Sequence, residues 1–102
     1  MKVLSLETAR TREDRPATAV AHDEENARVV TFDLLPGQRV PPHRNASTVI
    51  VSVVAGSGTF RGADGAALLR AGEMAVYAPG EEHSIEAGEG PLSFVAVIAP
   101  RP

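Results

Sequence analysis

The sequence predicts a single all-β domain. Its 102 residues suit one compact domain with a thin hydrophobic core. Aromatic residues make up only 4% of the chain, and small and β-branched apolar residues, which fill narrow interiors between sheets, are common. Turn signals built on Gly, Pro, Asn and Asp recur throughout, and no segment between them has helical periodicity. Short strands at such even spacing are typical of a sandwich or a barrel.

The first 16 residues are expected to lie outside the barrel. Residues 3–6 are a short apolar run, which we interpret as a strand, and residues 7–16 (ETARTREDRP) are a charged connector without periodicity. Residues 17–102 then form the barrel domain. Near its beginning, His22 opens the cluster HDEEN, which predicts a hairpin turn with a solvent-exposed histidine.

Two runs, 30–34 and 92–98, alternate between apolar residues and their neighbours, as strands with one face on a core do. The residues predicted to face the core are Val30, Phe32, Leu34, Leu92, Phe94, Ala96 and Ile98. A third run, 47–54, is apolar on both faces, so its outer face also needs cover. Residues 3–6, a second layer of the same chain or a second copy could supply that cover, and we favour a homodimer.

Composition excludes several functions. The net charge is −3 and the basic residues are scattered, so nucleic acid is not an expected partner. The longest apolar run, residues 49–55, is too short to cross a membrane, and the N-terminus lacks the pattern of a secretion signal. The chain has no cysteine, which fits a reducing compartment. A cytoplasmic location is therefore expected.

Histidine and glycine recur at fixed spacings after the first core strand. The pattern is Gly37, five residues, His43, one residue, Asn45, three residues, Val49, six residues and Gly56. It resembles the first motif of the cupin superfamily, which has Gly, His, His, Glu and Gly at these positions. Two of the three metal ligands in that motif are replaced here.

A second segment resembles the second cupin motif. Gly72, Gly80 and His83 match, and the proline of the motif is shifted to Pro79. The chain therefore resembles small single-domain cupins of the cupin 2 conserved-barrel type, with a degenerate set of metal ligands. The resemblance implies a single jelly-roll barrel, also called a double-stranded β-helix.

The resemblance also implies a site for one divalent metal, Fe, Mn, Ni or Zn, which the family holds with three histidines and a glutamate. The candidate ligands here are His43, His83 and Asn45. Asn45 offers a neutral amide oxygen, and Val49 removes the carboxylate that would offset a dication in a low-dielectric interior. We therefore expect a barrel without a cofactor, or one that binds a metal weakly.

The function that we favour is binding of a small organic molecule inside the barrel. His43, Asn45 and His83 would be the few convergent polar groups that orient the ligand. The apolar walls are expected to come from Val49, Val51, Phe60 and Ile85. Arginines near the rim, which would favour an acidic ligand, are Arg39, Arg44 and Arg61.

Two other functions stay open. One is an enzyme, either a metal-dependent dioxygenase or isomerase that uses His43 and His83, or a metal-free isomerase with one histidine as general base. No second catalytic group can be named, because alternation with Val76 predicts that Tyr77, the only phenol, faces outward. The other is a structural or interaction module whose interior is closed by side chains.

Overall fold

The computed structural model describes residues 1–6 and 11–102, and every regular element in this part of the chain is a β-strand. The strands are β1 (Ala17–Asp23), β2 (Arg28–Leu34), β3 (Arg39–His43), β4 (Thr48–Gly62), β5 (Gly65–Arg70), β6 (Met74–Tyr77) and β7 (His83–Ala99). All of their pairings are antiparallel. The all-β prediction is confirmed.

The two long strands, β4 and β7, organise the barrel. They pair with each other along almost their whole length, from Thr48 opposite Ala99 to Arg61 opposite Ser84. In the first sheet, β2 pairs with β7 on one side of this ladder and β6 pairs with β4 on the other, and β1 pairs with the outer edge of β2. In the second sheet, β3 pairs with β7 on one side of the ladder and β5 pairs with β4 on the other. The same two strands therefore run through both sheets and fix how the sheets lie on each other.

The core lies between the sheets and contains side chains from both. Phe94 on β7 stacks on Phe32 of β2 with 4.6 Å between ring centroids, and it meets Phe60 of β4 edge to face at 5.4 Å. Such aromatic pairs add to the stabilisation from buried area. In residues 47–54, Val49, Val51 and Val53 form the core face and are all buried, whereas Val54 on the other face is 40% exposed.

Part of the outer face of the first sheet, the one that contains β1, β2 and β6, is also buried. Thr31 and Asp33 lie on the face of β2 opposite the core residues, yet they are only 3% and 2% exposed. The Ser93 hydroxyl donates a hydrogen bond of 2.6 Å to Asp33 Oδ1, which satisfies one oxygen of this buried carboxylate. Buried polar residues on this face show that alternation does not by itself identify the exposed side of a covered sheet.

The N-terminal run contacts the barrel without pairing to it. Residues 1–6 form no strand, so the predicted strand at residues 3–6 is wrong there, and residues 7–10 of the predicted connector lie outside the described residues. The Lys2 ammonium donates to His22 Nδ1 at 2.9 Å. His22 lies at the end of β1 and is half-buried, and the turn begins after it, so its predicted exposure is wrong.

Exposed apolar side chains lie at the β6 edge of the first sheet. Met74 and Val76 are 60% and 66% exposed. The homodimer that would cover such residues stays a prediction. The division of the chain at residue 17 also stays a prediction, although β1 begins there.

Gly56 lies where the β4–β7 ladder bends from one sheet into the other. The ladder has irregularities on both sides of this residue. Gly56 has φ +74°, and a Cβ atom built on it would overlap the carbonyl oxygen of Pro91. Only glycine fits both the backbone conformation and the close approach of the two strands.

We expect Gly56→Ala to destabilise the fold by about 3 kcal/mol or more, from left-handed strain plus the backbone overlap. Gly72→Ala is the matched control, because Gly72 has φ +91° but open space around its Cβ position. It should lower the free energy of unfolding by only about 1–2 kcal/mol. Urea unfolding followed by circular dichroism measures both, and equal losses would contradict the account of the bend.

Candidate functional site

Two histidines face each other across neighbouring strands at one end of the barrel. His43 ends β3, His83 begins β7, and their Cα atoms are partners in the ladder. The ring centroids are 4.1 Å apart, with 61° between the ring planes. His83 is 4% exposed, whereas His43 is exposed. The two cupin-type motifs are therefore brought together as the resemblance implies.

Backbone carbonyl groups fix the tautomer of both rings. His43 Nδ1 lies 3.0 Å from the Pro41 carbonyl oxygen, and His83 Nδ1 lies 3.0 Å from that of Glu81. Because a carbonyl oxygen can only accept, each Nδ1 carries a proton, so in the neutral ring the lone pair is on Nε2. Burial lowers the pKa of His83 below its usual value of 6.5, which also favours the neutral ring.

Tyr77 adds a third ring to the two histidines. Its ring packs on His83 with 4.4 Å between centroids and 16° between planes. It is 4% exposed, whereas its neighbour Val76 is exposed, so the predicted outward direction of Tyr77 is wrong. Tyr77 lies on the inner face of β6 because its cross-strand partner on β4 is the buried Val49. The Tyr77 hydroxyl is buried and has no hydrogen-bond partner among the described residues.

Glu81 holds the loop that carries His83. Its two carboxylate oxygens each accept a hydrogen bond of 2.9 Å from backbone, from the N–H groups of Ala63 and Ala78. These bonds lower the pKa of Glu81 below its usual range. The carboxylate thus joins the β4–β5 turn to the loop between β6 and β7, and the carbonyl group of the same residue orients the imidazole of His83.

The remaining donors do not fit a dication. Asn45 Oδ1 accepts a hydrogen bond of 3.0 Å from the Ser47 N–H, so its one metal-binding atom already has a partner. Val49 is buried beside His43 and His83, in the lining of a small cavity, and its side chain cannot coordinate a metal. No group of three His, Cys, Asp or Glu side chains that could hold a metal occurs among residues 1–6 and 11–102. Two neutral imidazoles and an amide leave the ion's charge without compensation.

A small cavity, which we call the interior cavity, adjoins this polar end of the barrel. Its volume is about 40 Å³. Its lining residues are Phe32, Val40, His43, Asn45, Val49, Val51, His83, Ile85, Phe94, Ala96 and Ile98. Six of the seven predicted ligand-binding residues thus line one space, and Phe60, the seventh, lies in the core outside this lining. The volume suits a few atoms and is far below that of a typical ligand pocket.

A larger space, the opening pocket, lies beside the interior cavity. Its volume is about 650 Å³, within the range of small-molecule sites. Its lining residues are Arg12, Arg15, Pro16, Ala17, Thr18, Phe32, Arg39, Val40 and Pro41. Phe32 and Val40 line both spaces, so a molecule in the opening pocket contacts the side chains that also bound the interior cavity.

A groove of about 840 Å³, the rim groove, lies on the other side of the histidines. It contains Arg44 and Arg61, two of the arginines that the sequence analysis placed near the rim. Arg44 donates to Glu82 at 3.0 Å, and Arg61 lies 3.9 Å from a Glu86 oxygen. Both guanidinium groups are therefore already paired with carboxylates.

Comparison with known proteins identifies the family. The AraC-like ligand-binding domain family matches residues 27–102, three quarters of the chain. The chain belongs to this family. The AraC-like domain is of the cupin type, so the predicted cupin membership is confirmed. No curated protein matches the chain.

Solved structures agree on the fold. The TT1209 protein of Thermus thermophilus is 27% identical with a TM-score of 0.93, and the match covers 100% of both chains. An RmlC-like cupin protein of Desulfovibrio desulfuricans is also 27% identical, with a TM-score of 0.87 over 98% of this chain and 97% of the other. The predicted double-stranded β-helix of the AraC-like domain is confirmed.

Sequence analysis missed most of the opening pocket. Arg12 and Arg15 fall in the segment interpreted as a connector, and Thr18 carries no motif. Phe32 and Val40 belong to different strands that do not pair with each other. Arg39 was predicted only as an arginine near the rim of the barrel. Of the three arginines predicted there, Arg39 alone lines the opening pocket of the AraC-like domain.

We expect Tyr77 to resist ionisation in the folded AraC-like domain. Burial raises the pKa of Tyr77 to about 12, and the negative charges of Glu81 and Asp64 act in the same direction. Because Tyr77 is the only tyrosine and tryptophan is absent, absorbance at 295 nm reports this group alone. The midpoint should move to about 10 in urea.

The folded pKa lies above the unfolded one, so the stability due to neutral Tyr77 is complete below pH 10 and is lost between about pH 10 and 12. Tyr77→Phe should remove this part of the alkaline loss. A midpoint near 10 in a chain that is still folded by circular dichroism would contradict the buried position of the hydroxyl.

Proposed function

We propose that the barrel is a binding module for a small organic molecule, and that the body of this molecule occupies the opening pocket. The observation that carries the proposal is the combination of a ligand-sized space with an apolar wall at Phe32 and Val40. Membership in a ligand-binding domain family supports it. The interior cavity, at about 40 Å³, can take only a small group of the ligand.

The polar end of the interior cavity sets what such a group must look like. In their neutral forms His43 and His83 each offer an Nε2 lone pair, because their Nδ1–H groups donate to carbonyl oxygens. The Asn45 amide contributes N–H donors, since its oxygen already accepts from Ser47. A group that donates hydrogen bonds, such as a hydroxyl, complements the two histidines.

We further propose that the site works without a tightly bound metal. The donor set supports this, because Val49 stands where the family has its glutamate and the Asn45 oxygen has a backbone partner. None of the described residues forms a helix long and apolar enough to cross a membrane. A cytoplasmic location remains part of this proposal, because the chain has no cysteine.

Binding at the opening pocket is testable with a fragment library and ¹H–¹⁵N spectra of the labelled protein. Fragments that bind should shift the backbone amides of Thr18, Phe32 and Val40. Thr18→Trp should abolish these shifts, because Thr18 is exposed at the pocket wall and a large ring there fills the space. Val20→Trp is the control, since Val20 is exposed on the same strand but does not line the pocket.

Two outcomes of this screen contradict the proposed function. In the first, no fragment shifts the amides of the opening pocket. In the second, fragments shift them but Thr18→Trp and Val20→Trp have the same effect. The folded state of both variants is checked by the dispersion of their spectra.

Metal binding is tested by calorimetric titration with Zn²⁺, Ni²⁺, Mn²⁺ and Fe²⁺. We expect weak binding by the natural chain. Asn45→His combined with Val49→Glu should raise the affinity for at least one metal by about 100-fold or more, because it restores an imidazole and a carboxylate. His83→Ala in that background should remove the gain. Tight binding by the natural chain, lost in His43→Ala, would refute the metal-free proposal.

A further inference from the structure

We propose that the opening pocket selects a small organic carboxylate, which Arg39 binds with its guanidinium group. This inference rests on the proposed function and names the class of its ligand. Three arginines, Arg12, Arg15 and Arg39, line the pocket, and its described lining contains no carboxylate side chain. The whole chain carries 13 acidic and 10 basic residues, so this pocket opposes the sign of the net charge.

Arg39 is available for a ligand, whereas the charge of Arg15 already acts on the Asp14 carboxylate. Four of the five described arginines outside the pocket form ion pairs, all but Arg70, and within the pocket Arg12 pairs with Asp14 at 3.1 Å. No ion pair is formed by Arg39 or Arg15 within residues 1–6 and 11–102. Glu86 stands opposite Arg39 in the β3–β7 register, but its nearest cation is Arg61. A guanidinium group binds a carboxylate through two parallel hydrogen bonds, which gives both strength and orientation.

One glutamine brings the arginines together. Gln38, in the turn before β3, donates from Nε2 to the Arg12 carbonyl oxygen, and its Oε1 accepts from the Leu35 N–H at 2.8 Å. The amide thus ties the segment before β1 to the turn before β3. This contact places Arg12 and Arg15 on the same pocket as Arg39, although 24 or more positions separate them in the sequence.

The rest of the lining selects the body of the ligand. Phe32 and Val40 form an apolar wall, and prolines 16 and 41 extend it. An aromatic or branched aliphatic acid would place its apolar part on this wall and its carboxylate at the arginines. A ligand pocket commonly combines a mainly apolar surface with a few orienting polar groups.

The carboxylate belongs at Arg39 and not at the histidines. In its neutral form each histidine has only an Nε2 lone pair left to offer a ligand, and a lone pair repels a carboxylate oxygen. The two ends of the site are therefore complementary to different groups, an anion at the opening pocket and a hydrogen-bond donor or apolar group at the interior cavity.

The test compares two probes of the same shape, phenylacetate and phenylacetamide, by NMR titration of the amides of Thr18, Phe32 and Val40. Phenylacetate should bind at least about 10-fold more tightly, since a hydrogen bond to a charged carboxylate is stronger than one to a neutral amide. Added NaCl should weaken the binding of phenylacetate and leave the affinity for phenylacetamide unchanged. Arg39→Gln should remove the preference.

Arg70→Gln is the matched control. It removes the same charge from an exposed position on β5 that does not line the pocket, and it should keep the preference for phenylacetate. Because Arg39 is itself exposed, Arg39→Gln should leave the fold unchanged, and its thermal unfolding checks this.

The outcomes separate this inference from the proposed function. Equal binding of the two probes, or a preference that survives Arg39→Gln, overturns carboxylate selection while the pocket still binds. Phenylacetate shifts centred on the rim groove, or no shift with either probe, also overturn it. Failure of the proposed function would appear separately, as the absence of any library fragment at the opening pocket.

Discussion

The antiparallel ladder between β4 and β7 is the contact on which the rest of the barrel depends. Each of the two strands belongs to both sheets, so the ladder sets the angle between the sheets and the width of the core. The bend at Gly56 is possible because this position has no side chain. From this ladder follow the positions of β3 on one side and of β6 on the other, and with them the two histidines and Tyr77.

The site departs from a metal-binding cupin in a coherent way. A buried carboxylate without a cation or hydrogen-bond donors carries a desolvation cost, and a cation without a carboxylate would lack charge compensation. Val49 removes the carboxylate, Asn45 turns its oxygen to the backbone, and burial favours neutral His83. What remains is a neutral polar end beside a narrow cavity. The positive charge lies outside it, at Arg39 and Arg15.

The sequence predicted the fold and the interior of the site, because both depend on local pattern. Alternation placed Leu34 and Phe94 in the core, and motif spacing placed His43 opposite His83. It failed where a position depends on contacts between distant segments. The phase of Tyr77 on a four-residue strand was wrong because its cross-strand neighbour decides it. The opening pocket was missed because its walls come from three segments that no local pattern links.

The central claim is that a carboxylate ligand lies in the opening pocket with its charge at Arg39. The most direct measurement is a crystal structure of the protein with phenylacetate bound. The account predicts a carboxylate within hydrogen-bonding distance of the Arg39 guanidinium group and a phenyl ring against Phe32 and Val40. A carboxylate bound at His43 and His83 or in the rim groove would contradict it.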